Sequence, residues 1–114
     1  MQTFLLPWPP TANTMWRHGR GQNYLAERYK KWRDEAGKEM LVQRVHAVTG
    51  PVQIRISLNY KGLWDLDNRV KPVLDLLVSN QVIDGDSKNT VKRVIVEEGE
   101  GFTGARVTIT KIFG

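Results

Sequence analysis

No cysteine occurs in these 114 residues, which excludes disulfides, zinc ribbons and thiol chemistry. Histidine is nearly as scarce: His18 and His46 are the only two, so neither a multi-histidine metal site nor a histidine-based triad is expected. No apolar stretch nears membrane-spanning length, and the opening Met1-Gln-Thr-Phe-Leu-Leu-Pro lacks the cationic region of a signal peptide. A cytoplasmic protein with no membrane partner is expected. What remains is ordinary for a soluble globular fold, with 40% hydrophobic and 25% charged residues. The length corresponds to a single domain, residues 1–114. Such a domain buries about two-thirds of its unfolded surface, enough for one sheet and two helices without staples.

Acids are outnumbered, twelve against seventeen Lys and Arg, but unevenly. Residues 1–64 carry ten bases and four acids, whereas residues 65–114 carry seven bases and eight acids. Five of the six aspartates (Asp65, Asp67, Asp75, Asp84, Asp86) lie within 22 residues. A basic chain suits a polyanion, because neutralising phosphates releases condensed counterions. Carboxylates concentrated in one stretch narrow that reading, since they repel phosphate unless a cation lies between.

The pattern along the chain predicts an α+β fold: a single domain with a mixed β-sheet and two main helices packed on one face. Thr3–Leu6 reads as a first strand stopped by Pro7, Pro9 and Pro10. Residues 11–24 show no periodicity and are expected to form a functional loop. From Leu25 the apolar positions Tyr29, Trp32, Ala36, Met40 and Val45 take helical spacing, with Gly50-Pro51 as the stop. Val52, Ile54, Ile56, Leu58 and Tyr60 alternate with polar residues as a half-buried strand. Val70, Val73, Leu74, Leu77 and Val78 mark a second helix, with Asp67 or Asn68 as its expected N-cap. Pro72 fits only if that helix starts near Lys71. Strands around 91–97 and 105–112 are expected to form a hairpin through the glycine-rich loop 99–104.

Asp65 and Asp67 are two apart, so an extended backbone would project both to one face. Paired carboxylates without bases repel, and a divalent cation removes that cost. Hard oxygen ligands suit Mg²⁺, with Mn²⁺ as its substitute. A third ligand is then expected from Asp86, with Asp84 the alternative. The ordinary reading of an isolated D-x-D is a surface capping turn. The Asp84–Asn89 stretch fails the calcium-loop pattern at Lys88, Asn89 and Ile95. Lys71 stands four residues from both Asp67 and Asp75, so it is either a plain i,i+4 partner or a cation at the mouth of the site. Asp86-Ser-Lys88 is a weaker D-x-K alternative. Trp16 with Arg17, His18 and Arg20 has the composition to stack on bases while holding phosphates.

Leu6-Pro-Trp-Pro-Pro10, then Asn13 and Arg17-His18, then Asp65-Leu-Asp-Asn-x-x-Lys71, then Asp75 and Asp84/Asp86 resemble the RusA family of Holliday junction resolvases. The likeness runs in order over nearly the whole chain. It implies a Mg²⁺-dependent homodimeric endonuclease of phages and prophages, cutting four-way DNA junctions by paired symmetric nicks. Residue by residue it makes Asp65, Asp67 and Asp86 the metal-binding catalytic aspartates and Lys71 the essential lysine. The family's third aspartate usually follows another directly; here Gly85 intervenes, and Ser87 favours Asp86. A two-fold dimer matches the near two-fold junction. The expected products carry 5′-phosphate and 3′-hydroxyl ends. Recognition is expected to be of shape and phosphates, through Trp16, Arg17, His18, Arg20, Lys30, Lys31, Arg69, Lys88 and Lys92, with Arg93 beside them.

Overall fold

The computed structural model describes residues 1–19 and 22–113, leaving aside the side chains of residues 17–25. Its strands are β1 (Gln2–Leu6), β2 (Trp16–Gly19), β3 (Gln22–Leu25), β4 (Val52–Asn59), β5 (Val91–Glu98) and β6 (Gly104–Lys111). The helices are α1 (Glu27–Val42) and α2 (Val70–Ser79), with single 3-10 turns at Ala12–Thr14 and Asp67–Arg69.

Alternation in β4 organises the core. Val52, Ile54, Ile56 and Leu58 are fully buried, and the register places Val107 and Ile109 of β6 beside them on the same face. Phe4 and Leu6 of β1 continue that face. Against it pack Tyr29, Trp32, Ala36 and Met40 of α1 and Val73, Leu76 and Leu77 of α2. Each large side chain so buried contributes about 1.5–3 kcal/mol. The other face carries polar pairs: Thr3 with Thr108 at 3.0 Å, and Arg55 with Glu97 at 2.8 Å. The Arg55 guanidinium, donating to Glu97, holds that carboxyl below its ordinary range. Helices on one face of a mixed sheet is the architecture the pattern predicted.

The strand order is β1-β6-β4-β5, with β4 and β5 parallel and the other pairs antiparallel. This corrects the expected hairpin between the last two strands. β4 lies between β5 and β6, and the loop after β5 crosses the end of β4 instead. Gly99 N donates to Leu58 O at 2.9 Å, and the Asn59 side chain donates to Phe102 O, which seats the crossing. Gly104 has φ +108°, and a Cβ there would stand 2.3 Å from Leu6 O, so β6 can approach β1 only with glycine.

Two further expectations need revision. The stretch read as a loop at 11–24 contains the two-stranded β2–β3 ribbon, pairing Trp16 with Leu25 and Gly19 with Gln22. Helix α1 ends at Val42, well before Gly50-Pro51. Val45 N donates to Met40 O and Arg44 N to Leu41 O, a Schellman closure with Arg44 at φ 59°. Helix α2 closes the same way, with Gln81 at φ 59°. Its start at Val70 puts Pro72 in the first turn, where no N–H bond is lost.

Candidate active site

The segment from Tyr60 to Arg69 leaves the C-terminal end of β4 and enters α2, so a β-α-β crossover carries both Asp65 and Asp67. It is not extended. Leu66 already has helical dihedrals and Asp67–Arg69 is a 3-10 turn, so strand alternation does not relate the two aspartates. Neither Asp67 nor Asn68 caps the helix through its side chain; the residue preceding α2 is Arg69, also without a side-chain cap. The Asn68 amide instead donates to Asp65 Oδ2 at 3.4 Å. Both aspartates are exposed.

An aromatic cluster brackets this segment. Trp8, from the Pro-rich opening, stacks on Tyr60 with ring centroids 4.8 Å apart and meets Trp64 edge-on at 5.1 Å. Trp64 Nε1 donates to Tyr60 O at 3.0 Å. On the far side the Arg69 guanidinium lies 4.3 Å from the Trp8 ring centroid and donates to Pro9 O. Burial lowers the pKa of Arg69, and its Nε has no partner among the described residues. Arg69, counted above with the DNA contacts, is therefore turned inward to the Leu6–Pro10 segment. Sequence reasoning missed this clamp; the only signal was four aromatic or cationic residues in and around the two motifs.

Across α2, Lys71 Nζ lies 3.3 Å from Asp86 Oδ2, both half-exposed. The i,i+4 alternatives are not formed: Asp75 accepts from the buried Tyr29 hydroxyl of α1. The two candidate third aspartates also part company. Asp84 Oδ2 accepts from Gly50 N at 2.8 Å and fastens a turn, whereas Asp86 faces Lys71. Among the described residues no group of three acidic or histidine side chains is close enough to hold a metal ion. The donor set nevertheless fits a hard divalent cation in kind, and the Lys71 ammonium occupies the counter-charge position at Asp86.

Of the remaining candidates, Trp16 is 51% exposed and clear of the core, whose nearby buried residue is Met15. Lys31, Lys88, Lys92 and Arg93 are exposed, and Lys30 pairs with Glu27 at 3.4 Å. Arg20 lies outside the described residues, as do the side chains of Arg17 and His18. No helix among the described residues is long and apolar enough to cross a membrane.

Comparison with known proteins accounts for this arrangement of motifs. The family model described as endodeoxyribonuclease RusA matches residues 7–110. A crossover junction endodeoxyribonuclease rusA of Enterobacteria phage HK97 is 27% identical over 110 residues, covering 92% of each chain. The crossover junction endodeoxyribonuclease RusA of Escherichia coli K12 is 32% identical over 77 residues, 63% of this chain and 62% of that protein. The rusA protein of Enterobacteria phage 82 is 32% identical over 75 residues. With the match running from the Pro-rich opening to the last strand, this chain belongs to the RusA endodeoxyribonuclease family.

Proposed function

We propose that this protein resolves four-way DNA junctions as a homodimer, by a divalent-metal-dependent pair of symmetric nicks that leave 5′-phosphate and 3′-hydroxyl ends. The work belongs to recombination and repair of phage or chromosomal DNA at the nucleoid. The observation that carries the reading is the Lys71–Asp86 contact. It draws an acidic turn fifteen residues away onto the helix start that also carries Asp67.

Asp65, Asp67 and Asp86 would hold Mg²⁺ or Mn²⁺. When bound, the ion supplies an activated water and a stabilised leaving oxygen for in-line displacement. The protein's own groups do the rest. Asn68 orients Asp65, and Asp84 fixes the turn that presents Asp86. Lys71 exchanges Asp86 for the scissile phosphate, stabilising the charge that develops there. Trp16, Arg17, His18, Arg20, Lys30, Lys31 and Lys88 grip the backbone and stack at the branch, so that shape rather than sequence is read. Arg69 acts from behind, through Trp8.

The test is comparative cutting of a labelled four-way junction, a flap and plain duplex, with Mg²⁺, with Mn²⁺ and with chelator. Metal-dependent paired nicks confined to the junction are the expected result. Equal cutting of flap or duplex would make it a nuclease of a different substrate. Tight junction binding without cutting in any metal would make it an architectural DNA-binding protein.

A further inference from the structure

The loop between β4 and the aspartates turns apolar surface toward solvent. Leu63 is as exposed as a leucine in an open chain, at 105%, and Leu66 is exposed at 42%. A lone exposed leucine needs no explanation, but these two share a shallow cleft with Gly62, Trp64 and Glu98. The loop is held at both ends. Tyr60 is stacked on Trp8, and Trp64, edge-on to the same ring, donates to Tyr60 O at 3.0 Å, so one bond closes the loop on itself. Between them Gly62 takes φ +84°, with open space where a Cβ would stand. Glycine is therefore needed there for the backbone turn that presents Leu63, and not for room.

Position along the chain and charge both point to what this tip meets. Leu63 stands two residues before Asp65 and four before Asp67. Two residues span at most about 7 Å, and successive bases of a strand are spaced about 3.4 Å apart. A strand with its phosphate at Asp65 therefore passes Leu63 within about two base steps. The charged wall of the cleft is Glu98, a carboxylate that repels backbone phosphate but accepts from the N–H groups on base edges. At about 240 Å³ the cleft is smaller than the sites of free small molecules, which run to about 300–1,000 Å³. Apolar walls with one acceptor at the rim fit the ring and edge of a single base.

We propose that Leu63 is the wedge that separates junction from duplex: its side chain enters the base stack at the branch point, and the base it displaces settles against Trp64 and Leu66. The inference rests on the proposed function for its substrate. Apolar side chains inserted at a base step unstack it at a cost in free energy. At the exchange point of a four-way junction the stack is already interrupted, so insertion costs less there than within duplex. The closure of the loop on Trp8 and Tyr60 lets a single leucine do this, because the tip is fixed before DNA arrives and little ordering remains for binding to supply. Leu63 acts on the bases, and Asp65 and Asp67 on the phosphate beside them.

The probe is a synthetic four-way junction with 2-aminopurine, a base that fluoresces when unstacked, at the exchange point, and chelator present so that no strand is cut. Wild type should raise the fluorescence of the junction and leave a duplex carrying the same base dark. Leu63→Ser should leave the junction dark and lower the ratio of junction to duplex affinity about tenfold. The salt slope of binding should not change, because no charge is altered. Leu63→Phe, apolar and larger, should keep both the opening and the preference. Since Leu63 is fully exposed, Leu63→Ser should melt with the wild type, which separates its effect from misfolding. A wild type that leaves the junction dark, or a Leu63→Ser variant that opens and prefers it as the wild type does, would overturn the wedge. Equal losses on junction and duplex would overturn it too, by making Leu63 a backbone contact. Junction cutting in Mg²⁺ on the same samples keeps the two readings apart: paired nicks without opening by Leu63 refute only the wedge, and opening by Leu63 without cutting in any metal refutes only the nuclease.

Discussion

The buried Tyr29 hydroxyl of α1 donates to the Asp75 carboxylate of α2, 46 residues away, and this bond ties together the two helices over the sheet. Burial and the adjacent carboxylate push the tyrosine pKa up from its ordinary value near 10, against the opposing effect of Arg33. The folded state therefore keeps the proton when the unfolded chain releases it. The stabilisation is complete below pH 10 and is lost as pH rises beyond it. Tyr29→Phe removes the donor and leaves Asp75 short of a partner, a cost of about 1–3 kcal/mol. Denaturant unfolding of both proteins at pH 7 and pH 11 should show a smaller difference at the higher pH.

Both helix ends close through residues other than glycine in the left-handed region, Arg44 and Gln81, each at φ 59°. A side chain there costs conformational energy that glycine avoids. Arg44→Gly and Gln81→Gly should each raise stability, by about 0.5–1 kcal/mol, without altering any contact of the core. Thermal unfolding of the two variants checks this, and a lowered melting temperature would show that these side chains hold something the backbone geometry does not reveal.

The Lys71–Asp86 pair separates stability from activity. Both side chains are about half exposed, at 57% and 43%, so the pair itself should contribute about 1 kcal/mol or less. Lys71→Met should therefore unfold at nearly the wild-type denaturant concentration. Single-turnover junction cutting should nevertheless fall by about 10²–10³-fold, the usual loss when a charge-stabilising donor is removed. A variant that loses stability in proportion to activity would make the contact structural.

Arg69 and Lys88 should differ in the salt dependence of junction binding. Lys88 is exposed, and in the proposed function it contacts phosphate, so Lys88→Ala should reduce the slope of log K against log salt by about one. Arg69 is committed to Trp8 and Pro9, so Arg69→Met should leave that slope unchanged. Arg69→Lys should not rescue whatever Arg69→Met loses in cutting rate, because an ammonium cannot both stack on Trp8 and reach Pro9 O as the planar fork does.

Much of this architecture was legible wherever one face of an element is buried. The alternation of β4 and the spacing of Tyr29, Trp32, Ala36 and Met40 record the core directly, because each apolar position answers to the same packed layer. Neighbour relations were less legible. The loop 99–104 has hairpin composition, yet β5 pairs with β4 alone, since local turn chemistry carries no information about which strand lies alongside. The β2–β3 ribbon lacked apolar alternation because it is a separate two-stranded sheet outside the main one. At the site, the aspartates were conspicuous by clustering, whereas the clamp of Trp8, Tyr60, Trp64 and Arg69 draws on segments some fifty residues apart that no local pattern joins.

The central claim is that Asp67 serves cutting and not folding or binding. The direct measurement is cleavage of a labelled four-way junction in Mg²⁺ by wild type and by Asp67→Asn, with binding measured on the same substrate in chelator. The account predicts paired, ligatable nicks by the wild type, none by the variant, and junction affinity at least as tight in the variant, which removes a negative charge facing DNA. Equal binding by both proteins with no cutting by either would contradict it.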